Sequence, residues 1–505
     1  MKGITKTFGA LTANDRISLT LHRGEVLALL GENGAGKTTL MNILFGHYLP
    51  DAGDIEVFGA PLPHGSPRAA IARGVGMVHQ HFTLADRLSV LDNITLGTEK
   101  LWSLRSRKAA AKAKLASLSE KFGLTVDPDA LVSDLSVGER QRVEILKALY
   151  RDARVLILDE PTAVLTPQEA ERLFATLRRL VDTGLSVIFI SHKLNEVLDI
   201  SNRFAVLRQG ALVATFERTD ASKQALAEAM VGRAIPEPKR VRMAAGDPVL
   251  ELDNLVVEGP NGQTLLDRLC LIIRSHEIMG IAGVSGNGQA ALADLVAGML
   301  TPRAGAIRLH GQTIRRTAPA LMVAQGVGRI PEDRQAQGVV GDLSVAENLI
   351  LEDYRRPPYS KAGILQGAAI TAHAQQMIQD YDIRGAAPRT TARKLSGGNM
   401  QKVILARSLE RAPRLILANQ PIRGLDVGAA AYVHERLLEA RARGAAVLLI
   451  SEDLEELLAL SDQVSVMYQG QLSPAQAAET VEISQLGLLM SGQNHPAGKA
   501  ASHAS

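Results

Sequence analysis

The sequence contains a single cysteine, Cys270, in 505 residues. This excludes an internal disulfide framework, and a reducing cytoplasm is the expected compartment. Long apolar runs are also lacking, because VLALL, VLIL, VIFI and VLLI are far shorter than the run of about 18 residues that a membrane span needs. The start, MKGITKTFGA, has no apolar core of a secretory signal. We therefore predict a chain that does not itself cross a bilayer.

The chain lacks a strong excess of either charge. Its 56 lysines and arginines nearly balance its 53 aspartates and glutamates, and the formal net charge is +3. Because there is no polybasic block or acidic tail, the charge pattern identifies neither a nucleic acid nor a lipid as a partner, and no contact with nucleic acid is predicted. The length is ample for two or more domains with a large core in each.

A glycine-rich loop is present twice. GENGAGKT at residues 31–38 is answered by GVSGNGQA at residues 283–290, which is 252 positions later. Further along the chain the offset is 260, so the second copy has gained eight residues after the position that matches Gln80 and before the one that matches Ser136. A period this long describes two whole domains rather than the units of a solenoid.

The domain boundaries are predicted from this repeat. The first domain covers residues 1–231 and the second covers residues 249–490. Residues 232–248, GRAIPEPKRVRMAAGDP, are rich in proline, glycine and charge, as is typical of a linker. Residues 491–505 are predicted to form a disordered tail. Within each domain strand-like runs alternate with helical patterns, which predicts an α/β fold with a largely parallel core sheet.

The first glycine-rich loop has the context of a phosphate-binding loop, because it lies between strand-like VLALL and helix-like TLMNILF. Backbone N–H groups and the helix N-terminus would wrap the phosphates of a nucleotide. Lys37 would reach the β- and γ-phosphates and Thr38 would ligate Mg²⁺. A glycine-rich turn without a ligand is the alternative. The predicted nucleotide-binding residues of the loop are Gly31, Glu32, Asn33, Gly34, Ala35, Gly36, Lys37, Thr38 and Thr39.

Two adjacent carboxylates end the apolar run in LILDEP. Asp159 is suited to the Mg²⁺ shell, and Glu160 is suited to a base that polarises the attacking water. Alone, this pair would fit a solvated strand end, but beside a phosphate loop it indicates nucleotide hydrolysis. His192 closes another strand-like run, VIFIS, and is a candidate hydrogen-bond donor to the γ-phosphate, with a structural role as the alternative.

The second copy loses the charges of the first. The replacements, from first to second copy, are Lys37 by Gln289, Thr38 by Ala290, Asp159 by Asn419, Glu160 by Gln420, Gln80 by Glu332 and His192 by Glu452. Loss of a positioned base or of a transition-state charge partner lowers a rate by at least about 10²-fold each. Negligible hydrolysis is therefore predicted at the second loop.

LSVGER at residues 135–140 and LSGGNMQK at residues 395–402 resemble the signature of ATP-binding cassette ATPases. In that family the signature lies between the glutamine loop and the Asp-Glu strand, as it does in both copies here. The resemblance runs from about Ile4 to about Leu472. It implies an ATPase with ATP and Mg²⁺ as cofactors. It also implies two P-loop domains, each with a mostly parallel core sheet, an antiparallel edge region and a helical subdomain.

The resemblance implies further site residues. In this family two cassettes lie head to tail, and each nucleotide lies between the phosphate loop of one cassette and the signature of the other. The intact first loop would therefore face Ser396, Gly397 and Gly398, and Asp426 of RGLD would reach the same site. Gln80 would contact nucleotide and Mg²⁺ there. One complete site would then be built by both halves of the chain.

Two positions have more than one interpretation. Phe8 lies 23 positions before Gly31, where family members often stack an aromatic ring on adenine, and Pro260 takes that place in the second copy. Core packing is the alternative for Phe8. Thr166 stands where the family usually has aspartate, and we interpret it as the cap of a helix whose first residue is Pro167.

A closer resemblance is to the fused double-cassette ATPases of bacterial importers. GVSGNGQ, IPEDR, GDLSVAENLIL, NQPIRGLDVGA and MVHQHF are most like the nucleoside branch, with the simple-sugar branch next. This class implies two membrane-spanning permease subunits, a separate substrate-binding protein, and a peripheral position on the cytoplasmic face of the inner membrane. Residues 82–133 would transmit closure to the permease. The eight extra residues of the second copy could suit a different permease surface or be a harmless insertion.

Double cassettes that act on ribosomes in translation are the alternative class. Such proteins usually have two hydrolytic sites and a long charged connector. Here the predicted connector is 17 residues long and one site is neutralised. Cassettes of DNA repair are disfavoured because they typically carry cysteine zinc modules.

Overall fold

The computed structural model describes residues 1–79, 82–98, 108–162, 165, 167–191, 193–233, 240–493 and 495. The chain divides into two compact units, Met1–Ile235 and Pro236–Ser505. Each unit is an α/β domain with a separate small antiparallel sheet. Among the described residues, no helix combines the length and the apolar character that a membrane span requires.

The first unit alternates strands and helices after an initial hairpin. Its strands are β1 (Lys2–Phe8), β2 (Leu11–Ile17), β3 (Val26–Gly31), β4 (Ala52–Asp54), β5 (Glu56–Val57), β6 (Ala60–Pro61), β7 (Val75–Val78), β8 (Val155–Asp159), β9 (Ser186–Ile190), β10 (Arg203–Arg208) and β11 (Ala211–Glu217). Its helices are α1 (Lys37–Phe45), α2 (Pro67–Ala72), α3 (Val90–Thr95), α4 (Lys108–Phe122), α5 (Val137–Tyr150), α6 (Pro167–Asp182), α7 (Leu194–Ile200) and α8 (Lys223–Val231).

The second unit repeats this order. Its strands are β12 (Pro248–Glu258), β13 (Thr264–Arg274), β14 (Ile278–Ala282), β15 (Ala304–Leu309), β16 (Gln312–Thr313), β17 (Val327–Ile330), β18 (Ser360–Lys361), β19 (Ile364–Leu365), β20 (Leu415–Asn419), β21 (Ala446–Ile450), β22 (Gln463–Tyr468), β23 (Gln471–Leu472) and β24 (Gln476–Ala477). Its helices are α9 (Gln289–Val296), α10 (Pro319–Ala324), α11 (Val345–Leu349), α12 (Gly367–Asp380), α13 (Gly397–Leu409), α14 (Val427–Ala442), α15 (Leu454–Leu460) and α16 (Ile483–Met490).

Both units have a parallel central sheet, which confirms the predicted fold class. The first follows the order β7, β8, β9, β3, β10, with β11 antiparallel at the edge. The second follows β17, β20, β21, β14, β22, with β23 and β24 antiparallel on β22. Strands β3, β9, β14 and β21 are buried along their whole length. Their uninterrupted apolar runs are typical of parallel strands covered on both faces.

Strand β14 shows how the second unit is layered. Ile278 and Ala282 belong to a core cluster with the helical region, whereas Met279 and Ile281 belong to a cluster with β12, β13, β15 and α9. Because successive side chains of a strand point to opposite faces, a single strand serves both layers. The antiparallel sheet, in the order β13, β12, β15, β16, thus covers one face of the parallel sheet.

The helical region is built alike in both units. Ser89 caps α3 by accepting from the Asp92 backbone N–H, and Ser344 caps α11 by accepting from that of Glu347. Asn93 is buried and bonds both backbone groups of Ala85, and Asn348 does the same with Val340. Buried amides that bridge a turn in this way hold the segment after the glutamine loop in place.

The predicted linker is described in part, because residues 234–239 lie outside the described residues. Beyond them, the Arg240 guanidinium Nη2 contacts Glu479 Oε1 at 2.8 Å, and the Val241 carbonyl accepts from Arg441 Nη1 at 2.8 Å. Of the predicted tail, His495 is buried and its ring lies 5.5 Å from that of Tyr468. The start of the second unit is therefore anchored on its own core.

Candidate functional site

The first phosphate loop joins β3 to α1 and depends on glycine at its end. Gly36 is the N-cap of α1 with φ 99° and ψ 3°. A Cβ atom at Gly36 would lie 2.2 Å from the carbonyl oxygen of Ala13, so no side chain fits there. The loop is also held from outside, because Asn14 Nδ2 donates to the Gly36 carbonyl at 3.1 Å. The loop is thus fixed in shape by its surroundings.

Lys37 is folded over the loop. Its Nζ donates to the carbonyl oxygens of Gly31 at 2.6 Å and Glu32 at 2.9 Å, and the residue is 8% exposed. The first backbone N–H groups of α1 and this ammonium lie at the same end of the helix. Both favour an anion there. The predicted contacts of Lys37 and of the other residues of the loop with phosphate stay predictions.

The acidic pair lies beside the loop because parallel strands end at the same edge of a sheet. Asp159 Oδ2 lies 3.5 Å from Thr38 Oγ1, and Asp159 is 6% exposed. Burial raises the pKa of the Asp159 carboxyl and the charge of Glu160 raises it further, while Lys37 and Thr38 oppose the shift. A divalent cation bound to this carboxylate would counter the same penalty. Thr38 and Asp159 therefore bring together two oxygen atoms of the kind that Mg²⁺ prefers, and the Mg²⁺ site itself stays a prediction.

Glu160 has an unusual backbone. Its φ is 48°, and its N–H donates to the carbonyl of Ile190 on β9 at 2.9 Å. This bond fixes Glu160 at the carboxyl edge of the sheet, next to Asp159. Left-handed backbone is uncommon for a residue other than glycine and is often found at functional sites. The structure thus brings Lys37, Thr38, Asp159 and Glu160 to one place.

Three predicted positions lie outside the described residues: Gln80, His192 and Thr166. Their roles stay predictions. The helix that the sequence predicts to begin at Pro167 does begin there, since α6 is Pro167–Asp182.

Phe8 is on the surface. Its ring is 45% exposed and meets the ring of Tyr48 edge-on, with centroids 5.7 Å apart. Lys6 Nζ lies 5.4 Å from the same ring. The core-packing alternative is therefore wrong. Stacking on adenine stays a prediction, for which this exposed ring at the end of β1 is available.

The two signature serines are both helix caps, but their partners differ in charge. Ser136 caps α5 and donates to the Glu139 carboxylate at 2.8 Å, and this bond lowers the pKa of Glu139. Ser396 caps α13 and accepts from the Asn399 side-chain amide at 3.1 Å. The first signature therefore presents an ionised carboxylate where the second presents a neutral amide. Only the second is suited to phosphate on electrostatic grounds.

Asp426 lies near the second signature within the same unit. It caps α14 by accepting from the Ala429 backbone N–H at 2.8 Å. A Cβ atom at Gly398 would lie 3.4 Å from that of Ala429, so the starts of α13 and α14 pack closely. Gln401 Nε2 also donates to the carbonyl of Pro421 at 2.8 Å. The structure thus brings Gly398 and the Asp426 loop together.

The second phosphate loop keeps the backbone of the first without its charges. Gln289 Nε2 donates to the Val284 carbonyl at 3.1 Å, which repeats the bond of Lys37 to Glu32. Gln420 has φ 48°, the same value as Glu160. The amides therefore preserve the fold of the loop while they remove the groups that would bind phosphate and activate water.

Glu452 places a carboxylate at this second loop. Ser285 Oγ donates to Glu452 Oε1 at 2.7 Å, and the Glu452 backbone N–H donates to Gln420 Oε1 at 3.3 Å. Ser285 lies within the loop, so the Glu452 carboxylate lies against the second loop. A carboxylate at this position disfavours a bound anion.

A family model described as ABC transporter matches the chain twice, over residues 14–163 and 266–423. Each match contains a phosphate loop, a signature and the strand that ends in the acidic pair or its amides. The chain belongs to the ABC transporter family. The first unit is cassette one and the second unit is cassette two. Family membership assigns ATP binding and ATPase activity to the chain.

The chain is similar over nearly its whole length to named proteins. The nucleoside import ATP-binding protein NupA of Lactococcus lactis subsp. cremoris (strain MG1363) is 45% identical, over 98% of this chain and 98% of its own length. The guanosine import ATP-binding protein NupO of Bacillus subtilis (strain 168) is 43% identical, over 99% and 98%. The ribose import ATP-binding protein RbsA 1 of Burkholderia thailandensis is 40% identical, over 95% of each.

Among solved structures, the RNase-L Inhibitor is similar to both cassettes. Its TM-score is 0.66 at 20% identity, and the match covers 97% of this chain and 93% of that chain. At this identity the likeness shows the fold alone.

The tight packing around the phosphate loop of cassette one can be tested by mutation. Gly36→Ala is expected to abolish ATP binding, whereas Gly59→Ala, a control in the turn between β5 and β6, keeps it. Both glycines have positive φ, 99° and 75°, but a Cβ at Gly59 meets nothing within 4 Å. The cost of left-handed backbone, about 1 kcal/mol, is common to both variants, so the clash with Ala13 in the loop is the difference. Equilibrium ATP binding by the full chain measures it. Equal affinities would contradict the tight fit at Gly36.

Proposed function

We propose that this ABC ATPase energises the import of a nucleoside or a simple sugar through a separate permease. The similarity that carries the proposal is full-length, at 40–45% identity, to proteins named for nucleoside, guanosine and ribose import. The likeness to a soluble double cassette is 20% and supports the fold only. The nucleoside branch is favoured by NupA and NupO, and the simple-sugar branch is next.

Hydrolysis is assigned to the loop of cassette one. Lys37 binds the β- and γ-phosphates of ATP, and Thr38 with Asp159 would hold Mg²⁺. The cation supplies Lewis-acid stabilisation of the transferred phosphoryl group when bound. Glu160 accepts a proton from the attacking water, and the hydrogen bond of its backbone N–H to the Ile190 carbonyl keeps it at the carboxyl edge of the sheet. Gln80 and His192 complete this set as contacts to the γ-phosphate.

The proposed hydrolytic site also includes residues of cassette two. Ser396, Gly397 and Gly398 at the start of α13 would hydrogen-bond the γ-phosphate, and Asp426 would approach from the neighbouring loop. The side-chain partner of Ser396 supports this assignment. It is the neutral amide of Asn399, so the signature serine does not carry a carboxylate that would repel the phosphate. Cassette two then serves as the partner surface of one hydrolytic site and contributes no second one.

The partners are two membrane-spanning permease subunits and, through them, a substrate-binding protein. The chain would then be peripheral, on the cytoplasmic face of the inner membrane. Residues 82–133 of cassette one transmit closure to the permease. In cassette two the β18–β19 hairpin lies within the longer segment and exposes Ile364 and Leu365, at 69% and 54%. Exposed apolar side chains at a hairpin tip suit a permease contact.

The proposal that only cassette one hydrolyses ATP is tested at Glu160, the predicted base, and at Gln420, which matches it in cassette two. Glu160→Gln is expected to lower steady-state ATP turnover by at least about 10²-fold while ATP binding persists. Gln420→Ala, its matched control in cassette two, leaves turnover nearly unchanged because an amide accepts no proton. Phosphate release by the purified full chain measures both. Comparable losses from the two changes would show that cassette two also hydrolyses ATP.

The pairing of loop and signature is tested at the two serine caps. Ser396→Phe is expected to damage turnover far more than Ser136→Phe. Both variants lose a helix cap, which destabilises each by about 1 kcal/mol, so unequal folding does not explain a difference. Turnover and thermal unfolding are measured together. Greater sensitivity at Ser136 would overturn the assignment of the cassette-two signature to the intact site.

The importer role is tested by recovery of partners. The affinity-tagged chain, expressed in its own host, is expected to co-purify with an integral membrane permease from the membrane fraction. Mass spectrometry of the complex identifies the subunits, and stimulation of its ATPase by nucleosides or sugars identifies the substrate class. Recovery with ribosomes and without any permease would overturn the importer in favour of the translation alternative.

A further inference from the structure

A charged pair in cassette two stands where cassette one has neutral residues. The Arg423 guanidinium forms an ion pair with the Glu332 carboxylate, and the two side chains are 54% and 34% exposed. Glu332 takes the place of Gln80, and Arg423 takes the place of Ala163. The two copies therefore differ at both positions of the pair: cassette one has glutamine and alanine where cassette two has glutamate and arginine.

A second arginine joins the same group. Arg334 begins a single π-helical turn and donates from Nη2 to the carbonyl of Arg423. Its other terminal nitrogen, Nη1, lies 3.2 Å from the position that a Cβ of Gly397 would occupy. Cassette one has Phe82 at the matching position. The Arg334 side chain thus bridges the signature turn and the loop that leads to Asp426.

These contacts meet at one face of cassette two. A single cavity of about 470 Å³ lies at this face. It is lined by residues after β17, by the signature residues Gly397 and Met400, and by Arg423. In the interior, the buried Gln401 Nε2 donates to the carbonyl of Pro421 and ties α13 to the start of the segment that leads to Asp426. The signature turn and this loop are therefore held from two sides, by Gln401 in the interior and by the arginines at the surface.

We propose that the Glu332–Arg423 pair, together with Arg334, positions the signature Ser396 and the Asp426 loop for catalysis at the intact site. The proposal rests on the composite site proposed above. Cassette two lacks the acidic pair, so its glutamine-loop position is not required there to sense a hydrolysable nucleotide. A carboxylate can occupy it and hold the arginine that follows Pro421. Cassette two thus lacks charges in its phosphate loop but carries the charges of Glu332, Arg423 and Arg334, which hold its signature turn in position.

The experiment is a double-mutant cycle on the full chain. The variants are Glu332→Gln, Arg423→Ala and both together, which recreates the residue pair of cassette one. Each single change is expected to lower kcat about fivefold, as for directly coupled charges, and the double change to lower it no further. The KM for ATP stays nearly constant, because Lys37 and its loop are untouched. Arg334→Ala is expected to lower kcat in the same way.

Arg303→Ala is the matched control. Arg303, directly before β15, forms a similarly exposed ion pair with Glu258 at the end of β12. Exposed ion pairs stabilise proteins little, so the thermal midpoint is expected to change little in every variant. Unchanged kcat in the single variants, additive losses in the double variant, or a fall in kcat that follows a fall in thermal midpoint would each overturn the positioning role.

Failure of the composite site is distinguishable from failure of this inference. Ser396→Phe is assayed in parallel. Full turnover by that variant would overturn the composite site itself. Loss of turnover by Ser396→Phe with wild-type kcat in the Glu332 and Arg423 variants would overturn the positioning role alone.

Discussion

The buried ammonium of Lys37 is the interaction on which the site depends. Two loop carbonyls hold it at the N-terminus of α1, and the loop adopts this shape because Gly36 has no side chain to meet Ala13. Parallel strands bring Asp159 and Glu160 to the same edge. A single region therefore combines a cation, a helix N-terminus and two carboxylates. This combination of groups is suited to a nucleotide triphosphate and supports the proposed hydrolysis.

The second cassette shows that the fold and the charges are separable. Gln289 repeats one structural hydrogen bond of Lys37, and Gln420 repeats the backbone of Glu160, while the charges are gone. A neutral amide can therefore make one of the loop hydrogen bonds that Lys37 makes, and the second loop keeps its backbone without the charge. Glu452 adds a carboxylate that accepts a hydrogen bond from Ser285 of this loop, and a carboxylate disfavours a bound anion there.

The charges of cassette two are concentrated elsewhere. Arg334, Arg423 and Glu332 cluster between the segment after β17, the signature turn and the loop of Asp426. The first signature instead carries the Glu139 carboxylate on its serine. The two halves thus differ in complementary ways, with a phosphate loop suited to anions in one and a signature suited to anions in the other. This electrostatic division supports the proposal of a single hydrolytic site.

The sequence by itself determined the two domains, their α/β class, the phosphate loop and the acidic pair, because these depend on patterns within a few residues and on parallel strand order. It also determined which copy lost its charges. Tertiary structure alone decided that Phe8 is exposed, that Asn14 supports Gly36, and that Arg423 pairs with Glu332. Asn14 left no repeat signal, since Leu266 matches it in the second copy. Such contacts join segments that are distant along the chain, and only the packing of strands and helices brings them together.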